Sequence, residues 1–112
     1  MKEKVFNLIA HRGFSVRSPE NTIQSFDLAL KEGFNNFEFD VQLTKDKIPV
    51  VIHDSDLIRT TGIKGIISEK KYSEIKSLNA KNNFQNLTGH FRIPTLDEIL
   101  IRYKDKAHLH LE

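Results

Sequence analysis

The sequence contains no cysteine. Disulfides, thiolate metal sites and a cysteine nucleophile are therefore excluded, and nothing follows about redox compartment. It also lacks a long apolar run. The opening MKEKVFNLIA carries a run of about six residues interrupted by Asn7, short of the roughly 7–15 of a secretory core. No stretch approaches the roughly 18 apolar residues of a membrane span. A cytoplasmic location is expected. Charge of one sign is not in excess either. The chain has 17 basic and 15 acidic residues, net +2, and the basic ones are scattered. That excludes the concentrated basic footprint of a nucleic-acid binder. There is no internal repeat and no low-complexity segment. What remains is 112 residues, 38% hydrophobic and 29% charged, the balance of one small globular domain with its own core.

Val5 to Ala10 is rich in strand formers and ends in the polar cluster His11-Arg12-Gly13. Ser18-Pro19-Glu20-Asn21-Thr22 has turn and cap chemistry. Ile23, Phe26 and Leu30 then recur at helical spacing, with Gly33 as the C-terminal stop. Phe37 to Leu43 reads FEFDVQL and alternates without a break, which predicts one two-faced strand. Ile48 to Ile52 (IPVVI) predicts a strand buried on both faces. The order continues with a glycine-containing loop over Arg59 to Gly65 and a helix around Tyr72 to Leu78. A polar stretch from Asn79 to His90 follows. A second long helix opens at Pro94-Thr95, with Leu96, Ile99, Leu100 and Tyr103 on its apolar face. The chain closes on the alternating HLHLE. Helices between strands favour an α/β fold with mainly parallel strands. The link from Leu43 to Ile48 conflicts with this. It spans about four residues, where a parallel crossover needs about a dozen, so it predicts a hairpin or a sharp bend.

Three places carry chemistry. Glu38 and Asp40, two apart on a strand, share a face with Cα atoms roughly 6.5–7 Å apart. Their oxygens suit one hard cation. The same alternation also fits a half-exposed antiparallel strand with solvated carboxylates, and the pattern alone leaves both open. His11-Arg12-Gly13 follows a strand, where α/β folds place their sites. An arginine there can clamp a phosphate, and a glycine admits close backbone approach. His53 ends another strand beside Asp54, a pairing suited to proton transfer near neutral pH. Each histidine could equally be an ordinary loop residue. Together, two histidines, an arginine and two carboxylates suit hydrolysis of a phosphodiester.

Seven blocks run in order along nearly the whole chain. They are His11-Arg12-Gly13, Pro19-Glu20-Asn21-Thr22, Glu38-Phe39-Asp40-Val41, Thr44-Lys45-Asp46, Pro49-Val50-Val51-Ile52-His53-Asp54, Arg59-Thr60-Thr61 and Ile93-Pro94-Thr95-Leu96. In that order they closely resemble the glycerophosphodiester phosphodiesterases. The resemblance implies a single partial domain over residues 1–112, the N-terminal half of a (β/α)8 TIM-type barrel. About four of the eight strands of such a barrel, which takes roughly 250 residues, are expected. It implies metal-dependent hydrolysis of glycerophosphodiesters to glycerol 3-phosphate and an alcohol, with one divalent cation, Ca²⁺ or Mg²⁺. His11 and His53 would be the general acid/base pair. Arg12 would contact the phosphate, and Glu20 would be a substrate-binding or supporting carboxylate. Glu38, Asp40 and the terminal Glu112 would hold the metal. The substrate's own 2-hydroxyl can attack phosphorus first, giving a cyclic phosphate that water opens.

The departures are local. Asn35-Asn36 stands where the family often has Ala-Asp, Lys47 where it has a turn glycine, and the lysine after the Glu112 position is absent. Half a barrel would leave a sheet edge and apolar faces open. The chain alone is therefore expected to be inactive, and either to self-associate or to need the missing C-terminal half. Two other readings stay open: a non-catalytic module that binds metal or phosphate, and a phospholipase relative acting on a lipid phosphodiester.

Overall fold

The computed structural model describes residues 8–112. The first three positions of the expected opening strand, Val5 to Asn7, lie outside them. Strand β1 (Ile9–His11) leads through a tight loop into helix α1 (Ile23–Lys31). Thr22 caps that helix, its hydroxyl accepting from the Ser25 amide. After α1 the chain stops at Gly33, φ +93°. Strand β2 (Asn36–Phe39) follows and pairs in parallel with β1. It also pairs in parallel with the last strand, β5 (His108–Leu111), which follows helix α4 (Leu96–Tyr103). Thr95 and Glu98 cap α4 reciprocally.

The alternating FEFDVQL is not one strand. It breaks at Asp40 into β2 and a separate β3 (Val41–Leu43), which pairs antiparallel with β4 (Pro49–Val51). The short link was therefore a hairpin, one of the two outcomes its length allowed. Its turn takes Lys47 to φ +66°, a left-handed conformation that glycine adopts without penalty. Of the strand segments expected in the half barrel, β1, β2 and β5 form the parallel sheet among the described residues. Pro49–Val51 lies outside that sheet and is still buried on both faces. Val51 packs into one core and Val50 and Ile52 into the other. The loop expected over Arg59 to Gly65 begins as a helical turn, α2 (Ile58–Thr61). The helix around Tyr72 is a single turn, α3 (Tyr72–Ile75).

The first core is aromatic. The Phe26 ring lies 5.0 Å from Phe37, 6.0 Å from Phe39 and 5.7 Å from Tyr103, centroid to centroid. Each such pair adds about 0.5–1.5 kcal/mol beyond area burial. The Tyr103 hydroxyl donates toward Asp27 (2.7 Å) and lies 3.1 Å from the Ile23 carbonyl, tying α4 to α1. Leu109 packs against this core, whereas Leu111 and Leu100 of the expected apolar faces are largely exposed. Because Phe37 and Phe39 point into the core, alternation turns Glu38 to the opposite face of the sheet. The ladder sets His11, Glu38 and His110 side by side there. Among the described residues β1 and β5 are the edges of the parallel sheet. No helix among them is long and apolar enough to cross a membrane.

Candidate active site

The sheet delivers the polar cluster through strained backbone at the end of β1. Arg12 and Gly13 are both left-handed, φ +59° and +80°. A non-glycine residue held there costs of order 1–3 kcal/mol and persists only where its surroundings fix it. They do so here. The Arg12 amide donates to the Glu38 carbonyl (2.7 Å), and the Arg12 carbonyl accepts from the Asn21 amide (2.8 Å). The loop is thus stitched to β2 on one side and to the start of α1 on the other.

The side chains that meet above it form one continuous chain of charge. His53 Nδ1 lies 2.8 Å from Asp54 Oδ1. Arg59 donates from Nε to Asp54 Oδ2 (2.8 Å) and from Nη2 to Asp54 Oδ1 (3.1 Å). The other side of the same guanidinium grips Glu20, Nη1 to Oε1 at 2.8 Å and Nη2 to Oε2 at 2.9 Å. Glu20 Oε2 lies 3.4 Å from Arg12 Nη1, and Arg12 Nε lies 3.4 Å from Asp40 Oδ2. Five expected or neighbouring positions from four separate segments are thereby joined through Arg59.

Electrostatics follow from this wiring. The Arg59 hydrogen bonds, with further help from His53, hold the Asp54 carboxyl at about 2, below its ordinary 3.8. Burial pushes the Glu20 carboxyl up, but the bonds and charge of Arg59, then Arg12, outweigh it and hold it below its ordinary value. Arg59 is pushed up, by Glu20 first and Asp54 second. A carboxyl lowered on folding stabilises the fold fully above its unfolded value. That stability is lost as pH falls through the folded one. Asp54 should therefore contribute about 1 kcal/mol above roughly pH 4, after discounting for solvent, and lose it toward pH 2. Asp54→Asn should flatten the acid limb of a urea-unfolding pH series. An unchanged limb would place the Arg59–Asp54 pair outside the folding energetics.

Not every expected residue joins the network. Among the described residues, no side-chain hydrogen bond links His11, Glu38 or Glu112 to it. His11 and Glu112 are exposed, and Glu38 is half-buried. The Glu112 amide donates to the Phe39 carbonyl (3.0 Å), which sets it beside Asp40 one strand over. No three acidic or histidine side chains among the described residues are gathered closely enough to hold a metal ion. The donor set nevertheless suits a hard cation in kind: carboxylate oxygens from adjacent strands, one of them facing a guanidinium. His110 Nε2 lies 2.9 Å from Asn36 Oδ1 on the same sheet face. A cleft of about 220 Å³ opens beside Glu20, bordered by Ser15, Thr60, Asn83 and Phe84. The residue that sequence reasoning passed over is Arg59. It stood inside a noticed block, yet nothing local pointed it at Glu20, 39 positions away.

The family model for the glycerophosphoryl diester phosphodiesterase family matches residues 11–112. The chain belongs to that family. A glycerophosphodiester phosphodiesterase of Bacillus altitudinis is 46% identical over 93 residues, which cover 83% of this chain and 38% of that protein. One from Caldanaerobacter subterraneus is 45% identical over 102 residues, covering 91% of this chain and 42% of that protein. The glycerophosphodiester phosphodiesterase structure from Agrobacterium tumefaciens superposes with a TM-score of 0.90 at 34% identity, over 96% of this chain and 46% of that one. An Oleispira antarctica phosphodiesterase, solved with the product sn-glycerol-3-phosphate, gives 0.78 at 38% identity over 96% of this chain and 45% of that one. The chain thus spans about two fifths of the length of these curated relatives. Its fold is that of the N-terminal half of the family's (β/α)8 barrel, with no closed barrel among the described residues.

Proposed function

We propose that this chain supplies the phosphate-facing half of a glycerophosphodiester phosphodiesterase site, which releases glycerol 3-phosphate and an alcohol. The observation that carries the reading is the charge chain running His53–Asp54–Arg59–Glu20–Arg12–Asp40 at the end of β1. Arg12 is the phosphate contact. Its contacts with Glu20 and Asp40 are both long, 3.4 Å, and no other side chain among the described residues takes its guanidinium donors, so donor capacity remains for a ligand. Arg59, by contrast, is spent on two carboxylates. His53 and His11 share the proton work: one takes a proton from the attacking oxygen, the other gives one to the departing alcohol oxygen as the P–O bond breaks. Glu20 holds Arg12 at the phosphate. The cleft beside Glu20 offers room for the substrate's organic part.

Glu38, Asp40 and Glu112 are the residues that would hold a divalent cation, Ca²⁺ or Mg²⁺. Such an ion neutralises charge on the phosphoryl oxygens. The support is the shared sheet side of Glu38 and its neighbours and the excess of carboxylates. Three carboxylates of the network, Asp54, Glu20 and Asp40, face two guanidiniums, Arg59 and Arg12.

The 112-residue chain by itself is expected to be inactive, because among the described residues the sheet carrying these groups is open at β1 and β5. The test is release of glycerol 3-phosphate from glycerophosphocholine, by the chain alone and by the chain mixed with a polypeptide spanning the rest of a relative's barrel. Turnover is expected only in the mixture, with Ca²⁺ or Mg²⁺, and should vanish on chelation. Turnover by the purified monomer would overturn the inactivity. A silent mixture that is folded and metal-loaded would overturn the function. Faster cleavage of a lipid headgroup diester would move the substrate to the phospholipase class.

A further inference from the structure

Arg59 is placed unlike a substrate-binding arginine. A guanidinium has five N–H donors. Four are used here, two on Asp54 and two on Glu20, all between 2.8 and 3.1 Å. The fork is therefore committed to protein carboxylates on both sides, the geometry in which arginine orients its partners most firmly. One of those partners touches His53. Asp54 Oδ1 accepts from Arg59 and lies 2.8 Å from His53 Nδ1. An ionised carboxylate can only accept, so the His53 nitrogen facing it must carry the proton. A carboxylate fixed in this way selects one imidazole tautomer and one ring orientation.

We propose that Arg59 is a positioning residue: by clamping Asp54 against Glu20 it holds His53 with Nδ1 protonated, leaving Nε2 to exchange protons with the substrate. The inference rests on reading His53 as one of the acid/base pair, and it adds a division of labour between the two arginines. Arg12 meets the phosphate, and Arg59 sets the histidine. It also gives Glu20 a second task. Through Glu20 the same guanidinium fixes Arg12, so phosphate contact and histidine orientation are set by one side chain.

The test reads the tautomer directly. The chain is labelled with ¹⁵N-histidine, and ring nitrogen shifts of His53 are followed at a pH where the imidazole is neutral. The wild-type protein should show a protonated-type shift at Nδ1 and an unprotonated-type shift at Nε2. Asp54→Asn should lose that pattern, giving averaged shifts. Arg59→Gln should lose most of it, and Arg59→Lys, which keeps charge without the fork, should fall between. Amide-shift dispersion verifies that each variant is folded. Should Arg59→Gln fail to fold, Arg59→Lys and Asp54→Asn carry the test. An unchanged Nδ1–H pattern in every folded Arg59 variant overturns the proposal. In the assembled barrel, Arg59→Gln should lower kcat by about 10²-fold, with a smaller rise in KM because Glu20 also loses its hold on Arg12. A rise in KM alone would make it a binding residue and overturn the positioning role. The tautomer signal needs no turnover. If it responds as expected while no form hydrolyses the diester, the positioning stands and the catalytic reading falls.

Discussion

Replacing His53 or His11 with alanine is expected to lower glycerophosphodiester hydrolysis by about 10²–10⁴-fold in the assembled barrel, the range spanned by a positioned general acid or base. The loss should appear without a matching loss of stability. Both histidines are exposed: the His53 side chain retains 44% of its accessible surface, and truncations at such positions usually stay within about 0.5 kcal/mol. The two variants should also differ in kind. Arg59, the main cause of the lowered Asp54 carboxyl, remains when His53 is removed, so His53→Ala should leave the acid limb of unfolding nearly as in the wild type. His11 has no comparable partner among the described residues. Its replacement should act on the rate alone and remove one limb of the pH–rate profile. The measurement is glycerol 3-phosphate release as a function of pH, beside urea unfolding of each variant. Retention of activity within tenfold in both variants would remove the histidines from the chemistry. It would leave Arg12 and the proposed cation ligands to explain turnover.

The types of residue in this site were legible in the sequence, and their wiring was not. His11, Arg12, Glu38, Asp40 and His53 stand out as candidates because each ends or interrupts an apolar segment with chemistry that a turn does not need, whereas Glu20, set in turn and cap chemistry, entered only through the family resemblance. Helices α1 and α4 were legible for a similar local reason. Thr22 and Thr95 carry cap hydroxyls one position before the first apolar repeat, and both caps form. Three features failed, for one shared cause: they depend on partners distant in sequence. Period-two alternation runs through Asp40 undisturbed, yet the chain leaves the parallel sheet there. The partners of β2 are β1 and β5, whereas β3 pairs with β4. Leu100 belongs to the apolar stripe by spacing, but α4 turns Ile99 and Tyr103 to the core and leaves Leu100 at 40% exposure. Arg59 reads as one more cation in a loop until α2 forms and swings it between Asp54 and Glu20. Local pattern reports which face a residue takes. It does not report what stands opposite that face.

Gly13→Ala is expected to destabilise the chain by about 2–6 kcal/mol, a large share of the roughly 5–15 kcal/mol that holds a small domain together. Two independent costs combine. The residue sits at φ +80°, where a side chain is strained by about 1–3 kcal/mol. A Cβ built there also strikes Ser25 of α1: it would overlap the hydroxyl and lie 2.7 Å from the Ser25 Cβ and 2.9 Å from its backbone carbon. The Ser25 backbone is held in the first turn of α1 by the Thr22 cap and cannot yield easily, and overpacking of this sort adds about 1–3 kcal/mol. The loop's own bonds raise the stakes for function. The Phe14 amide donates to the Ser25 carbonyl (3.0 Å) and the Ser25 hydroxyl to the Arg12 carbonyl (3.3 Å). A loop pushed off α1 would therefore carry Arg12 away from Glu20 and Asp40. The double variant Gly13→Ala with Ser25→Gly separates the two costs. Glycine at 25 removes the hydroxyl and Cβ clashes, at a helical-glycine penalty of up to about 1 kcal/mol, and leaves the strain at 13 in place. Urea unfolding should show the double variant no worse than the single one, with no additivity of the two losses. Additive losses would show that the loop can shift away from Ser25. The hold of α1 on Arg12 would then be weaker than the close approach of Gly13 requires.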